Sequence, residues 1–199
     1  MPIRRLTGLV AVLTILLPGC AVPPPTPTTD VQNAWAARLP ALARLHDWRA
    51  GGRIGVINAQ DGWHASFQWT QQGPNYRIDL IGPLGQGRVS VQGDVREVRV
   101  QTQDGQNWTA ANPDELLEQT LGIRLPVSGL RYWIRGLPEP GPTPVLQSDA
   151  QGRLTRLEQH GWSIEYPAYT QVAAFELPAR IIAQRQDLSV KLIIEQWSL

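Results

Sequence analysis

From residue 52 onward apolar side chains recur at every second position. Ile54 and Val56 begin the series, followed by Trp63, Ala65, Phe67 and Trp69, by Tyr76, Ile78 and Leu80, by Val89 and Val91, and by Val98 and Val100. A period of two belongs to a strand with one face buried and one face wet. Asp61-Gly62, Gly73-Pro74-Asn75, Gly93-Asp94 and Asp104-Gly105 separate the runs, and such residues favour tight reversals. The pattern predicts an antiparallel meander. It resumes in 145–148, 154–159, 162–166, 180–184 and 188–197, which brings the expected total to about eleven strands.

Three stretches follow a helical period instead. Trp35, Leu39, Leu42 and Leu45 predict an amphipathic helix over 30–45, with Asp30 as cap and Pro40 as a kink or interruption. Asn112-Pro113-Asp114-Glu115 is a helix start, with Asn as cap, Pro at the first helical position and Glu where a capping box places it. Leu116, Leu117 and Leu121 follow, and Gly122 ends that helix. A further apolar helix begins at Ser128 and carries Leu130, Trp133, Ile134 and Leu137 until Gly136 and Pro138 stop it. Strands, then two apolar helices, then more strands predict a mainly β protein of α+β class. The sheet curves, and the central helices bury their apolar stripes on its concave face. Composition alone favours the alternative, in which those helices complete a solid core.

The first residues read as an address. Arg4 and Arg5 precede the mostly apolar Leu6–Leu17, and Pro18-Gly19 leads into Cys20, the layout of a secretion signal. A dozen residues reach roughly 18 Å as a helix against about 30 Å of hydrocarbon, so this is a signal and not a span. Leu17-Pro18-Gly19-Cys20 resembles the bacterial lipobox, in which the cysteine is acylated and becomes the first mature residue; Pro18 is a less usual filler. By the same resemblance, Ala21 in place of Asp implies sorting to the outer membrane. The four prolines of Ala21–Thr29 predict an extended tether. Three parts are therefore expected: a signal over 1–19, the lipidated cysteine and tether over 20–29, and one domain over 30–199.

Composition narrows the possible functions. With 42% hydrophobic and 18% charged residues among 199, a packed domain is expected and a disordered chain is not. A net charge of +1, with cations scattered singly, gives no basis for nucleic-acid binding. Eight tryptophans and four tyrosines against two phenylalanines suit a partly wet apolar surface.

No reaction centre assembles on paper. His46, His64 and His160 lack metal-ligand spacing, Ser66, Ser90 and Ser163 lack a nucleophile elbow, and Asp114, Glu115 and Glu118 read as helix-start charges on a solvated face. Gly82-Pro83-Leu84-Gly85-Gln86-Gly87-Arg88-Val89 imitates a phosphate-binding loop. Arg88 and Val89 stand where Lys and Ser/Thr are needed, and a strand follows instead of a helix. The expectation is a protein with no enzymatic activity, metal or cofactor. The same segment is a loop around one apolar residue, Leu84, either tucked inward or held at an exposed tip as a probe for a bilayer or partner.

Gly52-Arg53-Ile54-Gly55-Val56, Trp63–Trp69, Tyr76–Gly85 with its Pro83-Leu84-Gly85 end, and Leu130-Arg131-Tyr132-Trp133-Ile134-Arg135-Gly136-Leu137-Pro138 together resemble the LolB family. These are outer-membrane lipoproteins that take other lipoproteins from the periplasmic carrier LolA and place them in the membrane. The resemblance implies an incomplete antiparallel barrel of about eleven strands with a helical lid. It implies a cavity for cargo acyl chains beneath that lid, and it puts Leu84 on a protruding loop that assists entry into the outer membrane. The expected lining is Trp63, Phe67, Trp69, Ile78 and Leu80 from the sheet, with Leu117, Leu121, Leu130, Trp133 and Ile134 from the helices. Expected partners are a LolA-like carrier, acylated cargo lipoproteins and outer-membrane lipid, met by a monomer. The competing expectation is a solidly packed envelope lipoprotein whose tryptophans recognise a glycan or a protein.

Overall fold

The computed structural model describes residues 29–85 and 87–199. The signal, Cys20 and the tether up to residue 28 lie outside the described residues. Helix α1 (Thr29–Ala43) leads into β1 (Asp47–Ile57), β2 (Gly62–Gln72), β3 (Asn75–Ile81), β4 (Arg88–Gly93), β5 (Val98–Thr102) and β6 (Asn107–Ala110). Helices α2 (Pro113–Leu121) and α3 (Val127–Trp133) follow, then β7 (Val145–Ser148), β8 (Leu154–Gln159), β9 (Trp162–Val172), β10 (Phe175–Arg185) and β11 (Leu188–Ser198). Ten strands coincide with alternating runs of the sequence. The eleventh, β6, is a four-residue edge strand, NWTA, with a single large apolar side chain, Trp108.

All eleven strands form one open antiparallel sheet, ordered β6-β5-β4-β3-β2-β1-β11-β10-β9-β8-β7. Each half is a meander of sequential neighbours, and the pairing of β1 with β11 joins them. The edges are thus β6 and β7, and the chain between them is the segment that carries α2 and α3. This is the expected incomplete barrel, with the helices at its gap. A register shift at Gly51/Gly52 lets β1 follow both neighbours. Gly52 is obligatory there, since a Cβ would lie 2.0 Å from the Ile193 carbonyl oxygen.

Local chemistry sets the helix ends. Asn112 Oδ1 accepts from the Asp114 and Glu115 amides at 2.9 and 3.4 Å, and Gly122, with φ 66°, closes α2. Gly136, with φ 74°, closes the turns after α3: the Leu137 N–H donates to the Tyr132 carbonyl and the Gly136 N–H to the Trp133 carbonyl, the pattern of a Schellman cap. Pro40 does not break α1, which runs on to Ala43. It lies beyond the first turn, so one backbone bond of the helix is lost.

Candidate functional site

Trp63, Phe67 and Trp69 of β2 share the concave face of the sheet with Ile78 and Leu80 of β3. Leu117 of α2, Leu130 and Trp133 of α3, and Ile134 just beyond close over them. Phe67, Trp69, Ile78, Leu80, Leu117, Leu130, Trp133 and Ile134 are each at most 4% exposed. Trp63 and Leu121 are half-buried and pack against the same cluster. All ten expected lining residues therefore meet in one apolar body, and the face assignment of each strand is as expected. They pack against one another between lid and sheet, while other residues line the open clefts at the surface.

Few polar ties hold the lid down. The Trp133 indole donates to Gln159 Oε1 at 3.3 Å, and its ring lies 5.9 Å from that of Trp162. Gln159 also holds the backbone of Glu139 through two hydrogen bonds of 2.8 and 2.7 Å. Asp114 joins α2 to α3, because its Oδ1 accepts from the Ser128 amide and hydroxyl. The solvated-face reading of Asp114 is corrected here: burial raises its carboxyl above the ordinary value although the Ser128 donors pull the other way. Glu115 and Glu118 do stay exposed, and Glu118 pairs with Arg124 at 2.9 Å.

The largest of these openings, about 860 Å³, lies at the lid's edge. Leu39 of α1, Tyr132 of α3, Leu137 and the proline-rich strap from Pro138 to Pro144 give it apolar walls. Arg131, Arg135 and Glu139 supply its charged groups. Arg135 is buried and donates from Nη1 to the Leu45 carbonyl at 2.8 Å and the Leu42 carbonyl at 3.5 Å, so it ties the end of α1 to the lid. Burial lowers its pKa, and the charge of Arg131 adds to the effect. Arg131 stacks over Tyr76 at 5.0 Å, and burial pushes the Tyr76 phenol up to about 12 against that cation's pull. Sequence reasoning missed this mouth, because its walls come from four separate segments with no shared period.

On the opposite end of β3, Leu84 sits on the β3–β4 turn and is 97% exposed, with φ 57° and ψ 20°. A leucine in left-handed backbone is uncommon and strained. The exposed alternative is the one realised.

His46 lines the lid-edge cleft, His64 lies on the outer face, and His160 stands 3.4 Å from Glu139. Among the described residues no three His, Cys, Asp or Glu side chains are grouped as metal ligands, and no helix is long and apolar enough to cross a membrane.

The family described as "Outer membrane lipoprotein LolB" matches residues 46–197. The chain belongs to this family. It is 39% identical over 195 residues to the outer-membrane lipoprotein LolB of Nitrosococcus oceani, covering 96% of each chain. It is 36% identical over 197 residues to that of Alkalilimnicola ehrlichii, covering 98% of each. It is 37% identical over 192 residues to that of Pseudomonas aeruginosa, with 95% of this chain and 94% of the relative aligned. The fold resembles a LolA superfamily protein from Nitrosomonas europaea, with a TM-score of 0.52 at 11% identity over 85% of this chain and 93% of that one. An outer membrane lipoprotein-sorting protein domain from Vibrio parahaemolyticus gives 0.54 at 10% identity over 84% and 92%. At such identities these two likenesses concern the fold alone. Within the LolB family the apolar seam between lid and sheet and the projecting Leu84 are the features with a function to account for.

Proposed function

We propose that the chain is a receptor that accepts acylated lipoproteins from a LolA-like periplasmic carrier and passes them into the outer membrane. After removal of 1–19 it is anchored there through acylated Cys20, with the proline-rich stretch to Thr29 as its tether, and it acts as a monomer. It is a transport protein and not an enzyme. The observation that carries this reading is the apolar seam between α2, α3 and the concave face, fastened by few hydrogen bonds and flanked by the cleft at the lid's edge.

An acyl chain in water costs about 0.8 kcal/mol per exposed methylene, so a sixteen-carbon chain must pass from one apolar surface to another without an aqueous interval worth roughly 12 kcal/mol. Entry at the lid-edge cleft lets a chain part α3 from the sheet and replace contacts among Phe67, Trp69, Ile78, Leu80, Leu117, Leu130, Trp133 and Ile134 with contacts to itself. Apolar surface then stays covered throughout, and the ties at Gln159, Asp114, Arg131 and Arg135 are what must yield. Direction needs no nucleotide: each roughly 1.4 kcal/mol by which this protein holds cargo more tightly than the carrier biases transfer tenfold. Leu84, held away from the body, meets the bilayer where cargo departs.

The test is displacement of an environment-sensitive fluorophore from the interior. Acylated peptide should displace it and its deacylated counterpart should not. Failure of the probe to bind, or equal displacement by both peptides, overturns the receptor reading in favour of a solidly packed envelope lipoprotein.

A further inference from the structure

The outer face of a half-solvated antiparallel sheet is ordinarily polar. At the centre of this sheet four isoleucines interrupt that pattern. Ile57 of β1, Ile81 of β3, Ile182 of β10 and Ile193 of β11 point away from the core and line a groove of about 630 Å³. Pro83 and Leu84 of the β3–β4 turn form one wall. Ile57 is 61% and Leu84 97% exposed, so two of the most exposed large apolar residues of the described chain share one depression.

Gly55 gives the groove its depth. It stands in mid-strand, opposite His64 on one side and Lys191 on the other. Glycine within a strand sacrifices stability and often marks a close approach by another molecule. No neighbour demands it here: an added Cβ would meet only the Trp63 carbonyl oxygen, at 4.0 Å. The space above Gly55 is thus left open without a packing reason. The charges of the groove have one sign. Lys191 and Arg53 line it with no aspartate or glutamate among its lining residues, although Arg53 reaches Glu195 beyond the edge at 2.7 Å.

We infer that this outer groove seats an acyl chain of an anionic phospholipid from the leaflet that Leu84 meets, its headgroup lying against Lys191 and Arg53. Apolar walls, cationic lining and continuity with the Leu84 turn favour a lipid over a second copy of the chain, which would place like charges opposite each other. The protein then leans on the membrane with the Leu84 end of the back of its sheet, away from the Arg77 end, and the lid-edge cleft of the concave side faces the periplasm. The inference rests on the receptor reading only for the presence of a membrane; the groove itself takes no cargo.

Benzoylphenylalanine in place of Ile57, in the full-length lipidated protein reconstituted into phosphatidylethanolamine vesicles with and without phosphatidylglycerol, tests this. Light should yield a phospholipid adduct, more with phosphatidylglycerol, and none from the same probe at Arg99, an exposed position on β5. Gly55→Ile fits the strand and fills the groove, and should lower the adduct about tenfold while acceptance of acylated peptide is unchanged. Lys191→Glu gives the same direction should Gly55→Ile fold poorly. Absence of the adduct at 57, equal adducts at 57 and 99, a protein–protein adduct, or indifference to both substitutions overturns the groove. Indifference to phosphatidylglycerol overturns its anionic ligand. A probe at Leu84 that reaches lipid while the one at 57 does not removes the groove and leaves the receptor reading standing.

Discussion

Asp114 and Ser128 stand at the starts of the two lid helices and are joined through one carboxylate oxygen, 3.0 Å from the Ser128 amide nitrogen and 3.2 Å from its hydroxyl. This contact links the two helices directly. It gives the lid a dependence on protonation as well as on packing.

Burial raises the Asp114 carboxyl above its ordinary 3.8 in the folded protein. The folded state therefore binds its proton more tightly than the unfolded state does, and stability from this group is full below about 3.8 and lost as pH rises through the folded value. Asp114→Asn keeps an acceptor for Ser128 without the buried charge, and should flatten that part of the pH profile in denaturant titrations. Asp114→Ala leaves the Ser128 amide without its acceptor and should cost about 1–3 kcal/mol, with faster hydrogen exchange in α3 than in β1.

Gly129 lies under the Trp133 ring so closely that a Cβ would come within 2.4 Å of it. Gly129→Ala should push the indole from its site and weaken its bond to Gln159. Overpacking of this kind costs about 1–3 kcal/mol. Thermal unfolding and a red shift of tryptophan emission measure it; an unshifted spectrum with unchanged stability counts against a tightly seated lid.

Leu84 combines near-complete exposure with left-handed backbone, so its replacement separates fold from function. Leu84→Gly removes a strain of about 1 kcal/mol while adding unfolded-state freedom of similar size, leaving stability nearly unchanged. It should still take acylated peptide and release it slowly to liposomes. Leu84→Glu should do the same more severely, since a charge at the tip opposes entry into hydrocarbon. Normal release by both variants removes Leu84 from the mechanism.

Cys20→Ala tests the anchor. The body should then leave the membrane fraction and appear in the periplasm with its fold intact, as judged by fractionation and circular dichroism. Retention in the outer membrane would count against acylation at this position.

Much of the architecture is legible along the chain because strand alternation and helix capping are local. Trp63, Phe67 and Trp69 declare one face of β2 within seven residues, and Asn112-Pro113 announces α2 by itself. The hairpin from Val172 to Phe175 is less visible, since Pro167 and Pro178 interrupt the alternation of β9 and β10. Asp114 looks like an ordinary helix-start acid until Ser128, fourteen residues later, is folded against it.

The sequence by itself determined ten of the eleven strands, the three helices and which faces are apolar, since these depend on neighbours a few positions apart. Only the tertiary structure decided that β1 joins β11 across the whole chain, that the lining residues close on one another, and that a cleft opens at the lid's edge. It also decided that Leu84 projects, and that the space over Gly55 stays open among four outward isoleucines. Each of these depends on which distant surfaces can bury each other, and residue spacing carries no record of that.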